Sequence, residues 1–263
     1  MARTTTDWQA SAYHRVAAPQ EAWARELLDR MDLEGGEAVL DAGCGSGRAT
    51  ALLLERLPRG RVIGVDGSPS MIGEARANLA TWGDRVGLIL CDLCDLRLAE
   101  PVDGAFSNAT FHWISDHQTL FVRLASALRP GGRLVAQCGG RGNVETYREA
   151  IEAAAARPEF SAAFAGWPSP WNFAGLGETE ERLLAAGFSE ARCWLEEKTV
   201  EPESPRDFIG AVGLAAHHER LDPERREAFT ETVLEELPRP LVLDYVRLNI
   251  EARAGGGARE GDG

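Results

Sequence analysis

The chain has 263 residues, 44% of them hydrophobic and 26% charged, enough apolar material for a sizeable core and too much for a disordered segment. Its formal net charge of -13 at pH 7 works against a phosphate backbone as partner, since that needs clustered Lys and Arg, and no nucleic acid is expected. The start lacks the apolar run of a secretory signal, no stretch approaches the roughly 18 apolar residues of a membrane span, and the five cysteines are odd in number and scattered, so a cytoplasmic, disulfide-free setting with no membrane partner is expected.

In chain order, short β-rich runs at 38–41, 62–66, 86–91, 102–107 and 134–138 alternate with helical patterns at 49–57, 69–80 and 117–128. Ser68-Pro69 and Ser115-Asp116 open the second and third of these helices. This rhythm predicts an α/β fold, a Rossmann-like, doubly wound, mostly parallel sheet of seven strands. Helices at 144–156 and 179–186 follow, the latter stopped at Gly187. Two further β-like segments, 191–200 and 241–252, flank a helical stretch, so a helical insertion over 203–238 is expected before the last strand, placed to roof a site. The whole reads as one domain over 1–253, with a tail from 254. Cys91-x-x-Cys94 has no second pair and no histidine cluster to complete four ligands, so no metal is expected.

The first strand runs into Asp41-Ala42-Gly43-Cys44-Gly45-Ser46-Gly47. Glycine lets a ligand approach the main chain and adopts positive φ freely. The dinucleotide spacing G-x-G-x-x-G fails, because counting from Gly43 the last position is Arg48 and from Gly45 it is Thr50; a Walker loop fails as well. An acid two residues before alternate glycines is what remains.

This pattern resembles motif I of the class I methyltransferases that use S-adenosylmethionine. The resemblance continues past the loop. Val62-Ile63-Gly64-Val65-Asp66 matches the second strand, whose terminal acid would bond the ribose hydroxyls, and Gly67-Ser68-Pro69-Ser70-Met71 the following turn, with Met71 against adenine. Leu90-Cys91-Asp92-Leu93 matches the third strand end, where Asp92 would accept from the adenine amino group and Leu93 would pack on the ring. Phe106 to Trp113 matches the fourth, bringing in Asn108 and Trp113. The expected cofactor is S-adenosyl-L-methionine, held by Asp41, Gly43, Cys44, Gly45, Asp66, Gly67, Ser68, Met71, Asp92, Leu93, Asn108 and Trp113, because ligands of open α/β sheets settle beyond the carboxyl ends of the strands. Asp41 would act through the turn or on the ligand's ammonium.

Within that superfamily the front half is most similar to the trans-aconitate methyltransferase branch, through Asp7-Trp8-Gln9-Ala10-Ser11-Ala12-Tyr13, Asn108 to His117, and Leu128 to Leu134. The resemblance implies an N-terminal helical lid over 1–30 with Tyr13 on the cofactor, and a small-molecule acceptor methylated on a carboxylate oxygen. The segment Gln137 to Asn143 departs from that branch. C- or N-methylation of a secondary metabolite, a nucleotide-dependent oxidoreductase and a cofactor-binding module without catalysis stand as alternatives. His112 is the candidate base, its alternative being packing beside the cofactor or bonding to the backbone; of His217 and His218, at least one is expected to face water. For an anionic acceptor, Arg141 is the first candidate grip and Arg247 the second, although a solvated surface position is the expected state of each. Trp167, Trp171 and Phe173 are candidate walls.

Overall fold

The computed structural model describes residues 18–202 and 204–256. Tyr13 and most of the expected lid lie outside the described residues. The elements run α1 (Ala18–Asp29), β1 (Ala38–Ala42), α2 (Arg48–Arg56), β2 (Arg61–Asp66), α3 (Pro69–Asn78), β3 (Val86–Leu90), β4 (Val102–Asn108), α4 (His117–Ala127), β5 (Leu128–Gly139), α5 (Glu145–Ala156), α6 (Ser161–Phe164), α7 (Leu176–Ala185), β6 (Phe188–Val200), α8 (Pro205–Phe208), α9 (Ala215–His218), α10 (Pro223–Glu236) and β7 (Leu243–Ala254).

The seven strands form one sheet in the order β3-β2-β1-β4-β5-β7-β6. The first five are parallel, while β7 runs antiparallel to both β5 and β6. All five residues of β1 are buried, as a strand covered on both faces requires. Val39 packs into one core with Leu53, Leu54 and Phe106, and its neighbour Leu40 into the opposite one with Phe111, Leu120 and Phe121. Helix starts follow the local chemistry: the Ser68 hydroxyl accepts from the Met71 amide at 3.3 Å with Pro69 in the first turn, and Asp116 caps α4 by accepting from the Thr119 amide at 2.9 Å.

Strand β5 starts earlier than its apolar run. Leu128 already pairs with Val102, and the next pairing joins Arg133 to Gly104, so Arg129 to Gly132 bulge out between them. The expected insertion is helical but broken. Between α8 and α9 the turn Ile209–Gly213 is π-helical, and α10 is the one long helix. With α5 the insertion builds a third core, containing Tyr147, Ile151, Phe208, Ile209, Phe229 and Val233. Strand β7 extends through Ala254, and the Gly255 amide donates to the Gly187 carbonyl at 2.9 Å, so the ordered chain outlasts the predicted boundary at 254. Among the described residues no helix is long and apolar enough to cross a membrane.

Candidate active site

Strand order reverses at β1, which has β2 on one side and β4 on the other, and the candidate segments gather at the carboxyl ends of these strands and of β5. The three loop glycines all have positive φ, at 87° for Gly43, 53° for Gly45 and 85° for Gly47. They are bare for different reasons. A side chain at Gly43 would overlap Thr110, and one at Gly47 would press on Leu79. Only at Gly45 would it meet nothing within 4 Å, so the exposed ledge is narrower than three alternate glycines suggest. Both the Gly43 and Cys44 amides donate to the Val65 carbonyl, at 2.8 and 3.0 Å, which ties the loop to β2.

Asp66 ends β2 beside that ledge. Its carboxylate accepts from the Gly45 amide at 2.9 Å through one oxygen and from the Ser68 amide at 2.9 Å through the other. Burial raises its pKa while the amides of Ser68, Gly45 and Gly67 oppose the rise. Asp41 points the other way. Only 1% exposed, it accepts from the Thr50 hydroxyl at 2.7 Å, and burial raises its pKa to about 7, against the pull of that bond and with a further push from Asp66. Of its two expected roles, this geometry serves the turn.

Several other predicted residues also face inward. The Cys44 thiol packs against the space above Gly64, Met71 is 5% exposed, the Ser68 hydroxyl is engaged in its cap, and Leu93 lies in the core with Ala42, Val65 and Phe111. Asp92 caps a short turn, accepting from the Cys94 amide at 2.8 Å.

A cavity of about 110 Å³ opens next to the ends of β4 and β5, and Asn108, His112, Trp113, Trp171, Phe173 and Arg247 all line it. His112 receives the Gly139 amide on Nδ1 at 3.1 Å. That bond occupies the Nδ1 lone pair, so the neutral ring carries its proton on Nε2. Burial, helped by His117, lowers the His112 pKa to about 3, so the ring is neutral across the physiological range. The loop bearing Trp171 and Phe173 is fastened to the same segment: the Asn172 amide donates to the His112 carbonyl at 2.8 Å, and its side-chain amide reaches Ile114 and Ser115. Trp171 and Phe173 stack with centroids 5.8 Å apart.

The two arginines change places. Arg141 has a side chain 73% exposed and pairs with Glu178 at 3.0 Å, on the flank of α7 and away from the cavity. Arg247, expected at the solvated surface, is 4% exposed. Its guanidinium lies over the Trp23 ring, 3.9 Å from the centroid, and its Nη1 has no hydrogen-bond partner among the described residues. Burial lowers its pKa to about 9, so it remains charged at neutral pH. The Tyr147 hydroxyl and the Gln137 side-chain carbonyl are likewise buried in the cavity wall without partners.

Trp167 does not join this wall. It stands with His217 in a neighbouring cavity of about 380 Å³, and Trp171 lines both. Of the paired histidines, His217 is 4% exposed, packed among Phe164, Trp167, Trp171 and Phe229, while His218 is half-buried and meets the Thr230 hydroxyl at 3.0 Å. His117 opens α4 as predicted, buried, with Nε2 2.8 Å from the Phe111 carbonyl. Sequence reasoning missed Trp23, Gln137, Tyr147 and Tyr245. Trp23 and Tyr147 sit on helices whose patterns read as ordinary amphipathic faces, and only Gln137, a polar residue inside an apolar strand run, carried a local signal.

Residues 39–132 match the family model for a methyltransferase domain. The chain is 33% identical to a trans-aconitate 2-methyltransferase of Methylobacterium radiotolerans over 233 residues, 86% of each chain. It is 41% identical to one from Shigella dysenteriae over 132 residues, 50% of this chain and 51% of that one. Among solved structures, it is similar to a phosphoethanolamine N-methyltransferase of Haemonchus contortus in complex with S-adenosylhomocysteine (TM-score 0.62, 19% identity, 94% of this chain and 57% of that one). It is also similar to a geranyl diphosphate C-methyltransferase of Streptomyces coelicolor (TM-score 0.55, 18% identity, 89% and 77%). At these identities the two structures bear on the fold alone.

Proposed function

Since the chain belongs to the trans-aconitate methyltransferase branch of the class I S-adenosylmethionine-dependent methyltransferases, we propose that this enzyme methylates a carboxylate oxygen of a small molecule. The observation that carries the reading is Arg247, a charged guanidinium buried in the cavity wall with Nη1 unpaired. A buried guanidinium N–H without an acceptor is costly even with the Glu196 and Glu26 carboxylates acting on the charge, and a carboxylate ligand would supply that acceptor.

The cofactor residues follow as part of the same proposal. The open face at Gly45 with the Asp66 carboxylate beside it fits a ligand that brings hydroxyl donors and a cation. Asp66 accepts the Gly45 amide through one oxygen and the Ser68 amide through the other, and its remaining lone-pair capacity is what the ribose hydroxyls would use. Asp92 and Gly67 would border the adenine and ribose, and Asn108 and Trp113 the methionine end, while Asp41, Cys44, Ser68, Met71 and Leu93 shape the rim from behind. When bound, the cofactor supplies an electrophilic sulfonium methyl: an O–C bond forms, the C–S bond breaks with its electron pair left on sulfur, and no proton moves.

His112 then serves as a donor. With Nδ1 occupied by Gly139, Nε2–H is what the neutral ring offers the cavity, which suits an anionic oxygen and not a hydroxyl or ammonium awaiting deprotonation. A carboxylate needs no base at neutral pH. Positioning against the methyl group and exclusion of water by Trp171 and Phe173 can supply about 7 to 11 kcal/mol of the barrier in the favourable limit.

The test is product chemistry. Purified protein with labelled S-adenosylmethionine should convert a carboxylic acid in a metabolite panel to a methyl ester that alkali cleaves, releasing labelled methanol. Arg247→Met should raise KM for that acid at least tenfold with the S-adenosylhomocysteine Kd within twofold of wild type. An alkali-stable product, methylated on nitrogen or carbon, would overturn the reading.

A further inference from the structure

The reaction cavity is far richer in rings than in charge. Among the described residues its walls carry Trp23, Trp113, Tyr147, Trp171, Phe173 and Tyr245, and Arg247 is the one cation lining it. The other nearby cations are committed elsewhere. Arg141 is turned out to Glu178, Arg30 donates to Asn249 at 2.7 Å from behind the sheet end, and Arg148 sits between Glu145 and Glu152 in the wall of the neighbouring cavity. A ligand with three carboxylates would bury at least two of them against aromatic faces with no counter-charge, which is severely unfavourable. Among the described residues the cavity offers a counter-charge to one carboxylate, and most of its remaining wall is aromatic, which favours an apolar body.

The neighbouring cavity extends this logic. It is lined by Ile151, Ala155, Phe164, Trp167 and His217, and Trp171 separates it from the reaction cavity. Trp171 is fixed by its stack on Phe173 and by the Asn172 bonds to the His112 segment, so it forms a firm end wall.

Resting on the carboxylate-methylating reading above, we propose that the acceptor is a monocarboxylic acid with an aromatic or branched apolar body, and not a tricarboxylate, and that Trp171 sets how long that body can be. The carboxylate meets the Arg247 guanidinium and the unpaired Tyr147 hydroxyl, and the body lies along Trp171 and Phe173. The class therefore differs from the substrate named for its sequence relatives, and it follows from the single lining cation.

The experiment compares kcat/KM, by S-adenosylhomocysteine release, for trans-aconitate, for phenyl-substituted acids and for straight-chain monocarboxylates of increasing length. The apolar monocarboxylates should exceed trans-aconitate at least tenfold. Trp171→Ala should join the two cavities and move the preferred chain length upward, with S-adenosylhomocysteine affinity within twofold of wild type; Trp171→Leu is the second variant should the alanine fold poorly. A preference for trans-aconitate overturns this inference and leaves carboxylate methylation standing. Transfer to none of the acids, by protein that binds S-adenosylhomocysteine, overturns both.

Discussion

Asp66 fixes the glycine loop and faces the open side of it, so its removal strikes twice: the Gly45 and Ser68 amides lose their acceptor and the ribose loses its partner. Bonds to a charged group contribute roughly 1.5 to 3 kcal/mol each. Asp66→Ala is therefore expected to weaken S-adenosylhomocysteine binding at least tenfold by calorimetry, and unchanged binding would remove Asp66 from the site. His217 makes a pH prediction. Its pKa falls from 6.5 to about 4 on burial, with His218 adding to the shift. Above pH 6.5 His217 is neutral in both the folded and the unfolded chain; below it the unfolded chain takes up a proton and the fold does not, so stability falls as pH drops from 6.5 towards 4. Asp41 runs the opposite way between 3.8 and about 7, because there the fold keeps a proton that the unfolded chain releases. Replacing His217 by Leu should flatten the dependence of unfolding free energy on pH between about 4.5 and 6 by up to about 1.4 kcal/mol per pH unit, read from urea titrations. An unaltered slope would mean that His217 is not held neutral in the fold.

At the scale of the element, the glycine loop separates two roles that its sequence spacing merges. Gly43 combines a φ of 87° with a side-chain direction filled by Thr110, whereas Gly45 has a φ of 53° and open space. Gly43→Ala should destabilise the protein by about 1 to 3 kcal/mol or more, with part of the loss regained when Thr110→Gly is combined with it. Gly45→Ala should cost less stability and mainly reduce cofactor affinity; thermal melts and calorimetry on the two variants give the contrast, and equal losses in both would deny it. The π-helical turn ends at Gly213, where an added side chain would overlap the Tyr147 hydroxyl. Gly213→Ala is expected to impair acceptor turnover at least tenfold while S-adenosylhomocysteine affinity stays within twofold, because Tyr147 belongs to the acceptor wall and not to the glycine rim.

Over the whole molecule, the cores of the two sheet faces are built on the parallel strands, one of them extended by β7 residues such as Leu248 and Ile250, while the third core joins the insertion to α5 and the start of β7. The insertion includes four-residue helices and a π-helical turn, and its long helix α10 meets the rest chiefly through α5. We expect it to open independently: amides of α8, α9 and α10 should exchange with deuterium faster than those of β1, β4 and β5, and an acceptor acid should protect them selectively. Uniform protection across both regions would rule out a roof that moves apart from the sheet.

The run of short apolar strands and periodic helices was enough to specify the sheet, because those patterns are local and each strand and helix carries its own. The glycine spacing and the acid at 66 likewise carried the family resemblance that implied the cofactor, since both are local features of a few adjacent residues. The acceptor side was a different matter. Arg141 and Arg247 look alike in the sequence, and only antiparallel pairing of β7 with β5, which sets Arg247 opposite Gly139, carries one of them into the cavity while the other swings out to Glu178. Trp23, Tyr147 and Trp171 converge from a front helix, a middle helix and a proline-rich loop. Which of several identical side chains ends up buried and unpaired is settled by contacts between segments more than a hundred residues apart, and no local pattern records them.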